Sequence, residues 1–130
     1  MFKQAFVLDT DLFIDLLRGV PEAKVFFEKI KTREYLVYYS TILEVEIFAG
    51  QSAGSPEEEK TIRDVLELMT RLDIDGVVAK KAGEFRRKYN CFVPDAIIAA
   101  SAVTHKIHTV ATMNKKHFET IPDIKVFEPY

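Results

Sequence analysis

The sequence predicts an α/β fold in which a mostly parallel sheet is flanked by helices on both faces, as three layers. The main observation is that short apolar runs typical of strands alternate with helical patterns along the whole chain. The chain has 130 residues, 48% of them hydrophobic and 29% charged, which is enough for one core without disulfides or metals. No repeat or linker interrupts the alternation, so residues 1–130 are expected to form one domain.

The first half of the chain predicts two strands separated by helices. The runs QAFVL (residues 4–8) and EYLVYY (34–39) are apolar or β-branched and aromatic, as buried strands are. Proline favours the first position of a helix because its missing N–H is not needed there. Helices are therefore expected over residues 10–18, from Pro21, over 41–49 and from Pro56, with a flexible loop over 51–55.

The second half continues the alternation. Its longest helical pattern, residues 77–89, ends in three basic residues, which suit the negative end of a helix dipole. The other expected elements are a short strand over 72–75, a helix from Pro94 to His105, a strand over 108–112, a short helix over 115–119 and a last strand over 124–128.

Cysteine content and charge exclude several classes of protein. The single cysteine, Cys91, rules out an internal disulfide framework and a multi-cysteine zinc site. A net charge of −2 argues against a protein that coats nucleic acid by counterion release. No apolar run approaches the roughly 18 residues that a membrane span needs, and the first eight residues do not resemble a signal peptide. We therefore expect a cytoplasmic protein that is not bound to a membrane.

Polar residues follow several of the predicted strands. Asp9 ends the first strand, Ser40 the second and Thr112 a late one. Ligands of open parallel sheets bind at the carboxyl ends of the strands, so this edge is the expected site. Asp9 alone could equally be a helix N-cap, and we expect Asp11 and Asp15 to be first-turn and solvent-face acids of the same helix.

Two further acids stand in apolar helical segments. In TILEVEIFAG, Glu44 is explained by a capping box with Thr41, whereas Glu46 is expected to share a face with the apolar Ile42, Val45 and Ala49. A carboxylate there should be paired, protonated or bound to a ligand.

Asp95 opens a helix rich in small residues, in which Ala99 and Ala102 would let another element pack closely; the alternative is a simple dipole-stabilising acid. If Asp9, Glu46 and Asp95 converge, their repulsion calls for a cation. Oxygen ligands without a cysteine or histidine pair favour Mg²⁺ or Mn²⁺.

These segments resemble the PIN domain family, and in particular the VapC-type toxin ribonucleases. VLDTDLFIDLLRG is similar to the family's strand, Asp-Thr and helix; STILEVEIFAG to its Ser-x-x-Thr-x-x-Glu-x-x-x-Gly segment; PDAIIAASAVTH and TMNKKHF to its late Asp helix and Thr-x-Asn turn. The order and spacing of these motifs cover essentially the whole chain.

The resemblance implies a metal-dependent endoribonuclease that hydrolyses RNA phosphodiester bonds as the toxin of a type II toxin–antitoxin pair. It assigns Asp9, Glu46 and Asp95 as ligands of Mg²⁺ or Mn²⁺, with Thr10 and Ser40 as nearby polar groups. It also implies a small VapB-like antitoxin as partner and a homodimer.

The sequence departs from the family pattern in three places. Leu43 replaces the usual threonine. Asn114 is expected as a fourth catalytic residue that ligates or orients more weakly than an acid. His117 replaces the Asp before Phe118; it could assist, contact phosphate or lie on a solvated turn, and the turn is the expectation.

Basic residues near helix ends are candidates for RNA backbone contacts, although each could equally be a solvated surface residue. They are Arg86, Arg87, Lys88, Lys115 and Lys116. His105 and His108 lack a third ligand and are not expected to bind metal.

Two rival functions remain open. One is a phosphatase of the haloacid-dehalogenase type, with Asp9 as nucleophile and Asp11 as acid, although the late acids of that family are missing. The other is a PIN-fold module that binds RNA or protein without cutting.

Overall fold

The computed structural model of the protein describes residues 3–130; residues 1 and 2 of the predicted domain lie outside the described residues. The predicted α/β class is confirmed. The strands are β1 (Gln4–Leu8), β2 (Tyr35–Ser40), β3 (Thr70–Leu72), β4 (Thr109–Ala111) and β5 (Lys125–Phe127). The helices are α1 (Thr10–Leu17), α2 (Pro21–Lys31), α3 (Thr41–Phe48), α4 (Pro56–Leu66), α5 (Gly76–Tyr89) and α6 (Val93–Thr104).

All five strands are parallel and lie in the order β3-β2-β1-β4-β5. β1 is therefore the central strand, paired with β2 on one side through Gln4–Tyr35 and with β4 on the other through Val7–Val110. Because parallel strands end at the same edge, the residues that follow β1, β2 and β4 are neighbours in space.

Two hydrophobic clusters fill the space on the two faces of the sheet. Alternate residues of β1 point to opposite faces, so Phe6 and Leu8 pack with helices α1 to α4, whereas Val7 packs with α5 and α6. Ala99 and Ala102 of α6 are fully buried in the second cluster, as their small size predicted. This arrangement gives the expected three layers.

Several element boundaries differ from the sequence-based expectation. The segment predicted as a flexible loop contains a 3₁₀ turn at Gln51–Gly54, and β3 lies over Thr70–Leu72 rather than 72–75. The short helix expected over 115–119 is a single 3₁₀ turn at Lys115–His117, held down by the fully buried Phe118. Such shifts reflect tertiary pairing: β3 is defined by its contact with the end of β2, through Tyr38–Thr70 and Ser40–Leu72.

Candidate active site

The predicted edge of the sheet carries a cluster of buried polar residues. Asp9 follows β1 and its backbone N–H donates to the carbonyl of Ala111 at the end of β4 (2.9 Å). Thr112, the next residue after β4, donates its hydroxyl to Asp9 Oδ2 (2.8 Å). Ser40, at the end of β2, is fully buried and caps α3 by accepting from the Ile42 N–H (3.3 Å).

Asp9 is both the N-cap of α1 and a buried carboxyl group whose ionisation is unfavourable. Its Oδ1 accepts from the Thr10 N–H (2.8 Å), so the capping alternative is correct as far as it goes. Burial, together with the charges of Asp11 and Asp95, raises the pKa of Asp9 to about 8, although the Thr112 hydroxyl opposes that shift. A cap that served stability alone would not be held among like charges, so capping does not account for the whole arrangement.

Asp11 lies in the first turn of α1, as expected, but its contacts with the segment after β4 were not expected from the sequence. It is half-buried rather than on the solvent face, and its Oδ2 accepts from the Met113 N–H (2.9 Å) and the Asn114 amide (3.0 Å). Its Oδ1 is buried and has no hydrogen-bond partner among residues 3–130. Burial raises the pKa of Asp11, and the Met113 N–H partly opposes this. Asp11 therefore links α1 to the segment after β4.

Asp15 is likewise not a solvent-face acid. It is half-buried, and its Oδ2 accepts a hydrogen bond from the Tyr130 hydroxyl (2.8 Å). Burial and this bond to an acceptor raise the pKa of Tyr130, which keeps the phenol protonated and able to donate. The contact fastens the end of the chain to α1, the helix that follows Asp9.

Glu46 reaches the cluster from α3 through a hydrogen bond to α1. The Thr10 hydroxyl donates to Glu46 Oε1 at 2.7 Å, and Thr10 itself is only 5% exposed. The charge of Glu46 also raises the pKa of Asp95, so these two carboxylates lie close enough to repel each other. Thr10, a residue implied only by the resemblance, thus positions Glu46.

Asp95 lies in the first turn of α6 and points into the same cluster. It is 8% exposed, and the Nδ1 of His117 lies 3.4 Å from its Oδ2. Burial raises the pKa of Asp95, His117 lowers it, and the charges of Glu46 and Asp11 raise it again. His117 lies on an exposed turn, as expected, and this turn also brings its imidazole against Asp95 at the start of α6.

Asn114 contributes through its contacts with neighbours. Its amide donates to Asp11 Oδ2 and its backbone N–H donates to the Thr112 hydroxyl (2.9 Å). It also lines an open cavity of about 400 Å³, together with Met113, Lys115, Lys116, His117, Glu119 and Glu128. Asn114 therefore orients Asp11 in this structure, and its catalytic role stays a prediction.

The structure corrects two details of α3. Ser40, not Thr41, is the N-cap, and Glu44 lies 3.5 Å from the guanidinium of Arg71 instead of closing a capping box. The apolar face predicted beside Glu46 is on the outside, because Val45 is 63% exposed and Ala49 is exposed as well. The helix packs instead through Leu43 and Ile47. This helix is apolar on nearly every side, so the helical period could not identify its buried face.

Two other sets of candidates have structural explanations. Arg86 donates to the Asn90 side chain (2.8 Å) and to the Cys91 carbonyl (2.9 Å), so it closes the end of α5. His105 bonds the carbonyl of Ser101, one turn earlier in its own helix, and His108 lies near that of Asp123.

The acids suit a divalent cation in chemistry, although they do not form a finished cage. In the part of the chain that the structure describes, no three His, Cys, Asp or Glu side chains are grouped closely enough to hold a metal ion. Asp95 nevertheless lies within electrostatic range of Asp9, Asp11 and Glu46, and among the described residues no lysine or arginine is paired with these acids. The orphaned Oδ1 of Asp11 and the raised pKa of Asp9 fit a site whose acids would bind a divalent cation.

Comparison with known proteins finds one matching family and several similar structures. The model of the PIN domain family matches residues 6–123. A chain of a toxin–antitoxin complex from Klebsiella pneumoniae is 30% identical, with a TM-score of 0.78 over 96% of this chain and 98% of that chain. No curated protein matches the sequence.

Two more distant structures share the fold. VapBC from Salmonella typhimurium, bound to DNA, is 23% identical with a TM-score of 0.76 over the full length of both chains. VapBC2 from Rickettsia felis, bound to a promoter DNA fragment, is 18% identical with a TM-score of 0.77 over 95% of this chain and 97% of that chain. Among the helices of residues 3–130, none has the length and apolar character required to cross a membrane.

Proposed function

Because this chain belongs to the PIN domain family, we propose that it is a VapC-type toxin that hydrolyses RNA phosphodiester bonds with the help of Mg²⁺ or Mn²⁺. The observation that carries the proposal is the cluster of two buried and two half-buried carboxylates at the carboxyl edge of the sheet, for which residues 3–130 supply no lysine or arginine partner. Like charges held close together lower stability, and a protein keeps such an arrangement where its function needs it.

Each acid has a part in this proposal. Asp9, Glu46 and Asp95 hold the cation, Thr10 orients Glu46, and Thr112 orients Asp9. When bound, a divalent cation neutralises a substrate phosphate and makes water a better nucleophile. Asn114 keeps Asp11 turned towards the site, and Lys115 and Lys116 contact the RNA backbone along the neighbouring cavity.

The proposal includes a VapB-like antitoxin as partner, a homodimer, and action in the cytoplasm, where RNA substrates are found. The resemblance to chains of toxin–antitoxin complexes supports the antitoxin. Large apolar side chains that remain exposed support an interface between copies: Val45, Val77, Phe92 and Val93 are each at least 56% exposed.

An RNA cleavage assay tests the proposal. Asp9→Asn, Glu46→Gln and Asp95→Asn should each lower cleavage of a structured RNA pool by at least about 100-fold while the protein stays folded. Asp123→Asn is the matched control, since it makes the same change at an exposed acid before β5, at the opposite end of the sheet. Wild-type cleavage by all three variants would remove these acids from the site.

A PIN-fold module that binds without cutting is the alternative that one observation favours, because the described acids are not closed into a metal cage. Such a module would bind its partner equally well as the Asp95→Asn variant and would show no cation-dependent cleavage. The haloacid-dehalogenase interpretation is not kept, because the chain belongs to another family and Asp11 is occupied by Met113 and Asn114.

A further inference from the structure

Among residues 3–130, His117 is the histidine whose imidazole the fold brings against the acidic cluster. Its Nδ1 lies 3.4 Å from Asp95 Oδ2, and the two side chains are 41% and 11% exposed. Neither of the other two histidines has a contact with any of the four clustered acids among the described residues.

The position of this imidazole is fixed from two sides. The Phe92 ring, at the N-cap of α6, meets the imidazole edge to face, with ring centroids 5.7 Å apart. On the other side, the 3₁₀ turn is closed by the His117 N–H donating to the Asn114 carbonyl (2.9 Å) and is anchored by the buried Phe118. Phe92 makes this contact although it remains 67% exposed.

Within the described residues, the contact with His117 is the one polar side-chain contact of the Asp95 carboxylate. Its pKa is set by burial and by neighbouring charges, with no hydrogen-bond donor from residues 3–130 among the causes. Two atoms bound side by side to one octahedral cation lie about 3 Å apart. The Nδ1–Oδ2 separation of 3.4 Å is close to that spacing, which is compatible with both atoms binding one cation.

We propose that His117 supplies a ring nitrogen to the cation held by Asp95, which makes the site selective for first-row transition ions such as Mn²⁺ over Mg²⁺. The inference rests on the proposed function and deepens it. Imidazole is a poor ligand for Mg²⁺, which prefers oxygen and keeps its water, whereas transition ions accept nitrogen readily. The alternative, that His117 only neutralises Asp95, requires no bond between nitrogen and metal.

Electron spin-echo modulation of the protein loaded with Mn²⁺ tests this directly. The wild type should give the ¹⁴N coupling of a directly bound imidazole. His117→Asp keeps an oxygen ligand, so Mn²⁺ should still bind while the coupling disappears. The same variant should lower the ratio of the Mg²⁺ to the Mn²⁺ dissociation constant by about tenfold. His108→Asn is the matched control and should change neither quantity, since His108 lies near the Asp123 carbonyl.

The outcomes separate this inference from the proposed function. Mn²⁺ bound to the wild type without ¹⁴N coupling, or a coupling that persists in His117→Asp, overturns the role of His117 and leaves a metal-dependent nuclease intact. A folded wild-type protein that binds no Mn²⁺ overturns both. The wild-type spectrum alone decides the matter if the variant does not fold.

Discussion

Replacing Asp9 by Asn should make the metal-free protein more stable near neutral pH. The pKa of Asp9 in the folded protein is about 8, against about 3.9 for an unfolded aspartate. The folded state therefore holds a proton that the unfolded state releases between these values, and stability falls as pH rises through this window. Asn carries no charge and is as good a helix cap as Asp.

The size of the effect follows from the pKa difference. One pKa unit corresponds to about 1.4 kcal/mol, so raising the pH from about 5 to about 7.5 should cost the wild type about 3 kcal/mol through Asp9. Urea unfolding in the presence of a chelator measures this loss. Asp9→Asn should be at least 2 kcal/mol less sensitive to pH over the same range, by the same linkage argument, and the more stable of the two at about pH 7.5.

The opposite ranking would refute the reasoning. A wild type as stable at about pH 7.5 as at about pH 5, or an Asp9→Asn protein that is the weaker of the two at the higher pH, would mean that Asp9 is an ordinary structural cap. Asp123→Asn, at an exposed acid, should follow the wild type at both pH values.

Two further substitutions test the contacts that hold the site. Thr112→Val keeps the shape of a fully buried side chain but leaves Asp9 Oδ2 and the Asn114 N–H without their partner, so the free energy of unfolding should fall by about 2 kcal/mol; a fall below about 0.5 would contradict it. Tyr130→Phe removes the donor to Asp15 and should lower the free energy of unfolding by about 1 kcal/mol, and an unchanged urea midpoint would show that this bond adds nothing.

The sequence predicted best what depends on a single strand and its end. Alternating elements made a parallel sheet, and the rule for strand ends placed Asp9 beside Thr112 across 103 residues of chain. Glu46 stood out because it is charged within an apolar helix. The face that surrounds it was wrong, since Val45 is exposed and Leu43 is buried.

The contacts that the sequence did not predict depend on the path of the chain after β4. The position of Asp11 in the first turn of α1 is typical of a dipole-stabilising acid, and nothing local indicates that Met113 and Asn114 donate to it. The exposed turn that carries His117 is as expected, but its contact with Asp95 could not be predicted, for the same reason. The Asp-x-Asp spacing of Asp9 and Asp11 was the one available signal, and it led to the phosphatase alternative instead.

Calorimetric titration with Mn²⁺, comparing the wild type with Asp95→Asn, tests the central claim most directly. We expect saturable binding to the wild type and a loss of affinity of at least about tenfold in the variant, because Asp95 is a buried carboxylate that has no lysine or arginine partner among the described residues and lies within electrostatic range of Glu46 and Asp11. A folded wild-type protein that takes up no Mn²⁺, or equal binding by the two proteins, would contradict the existence of this metal site.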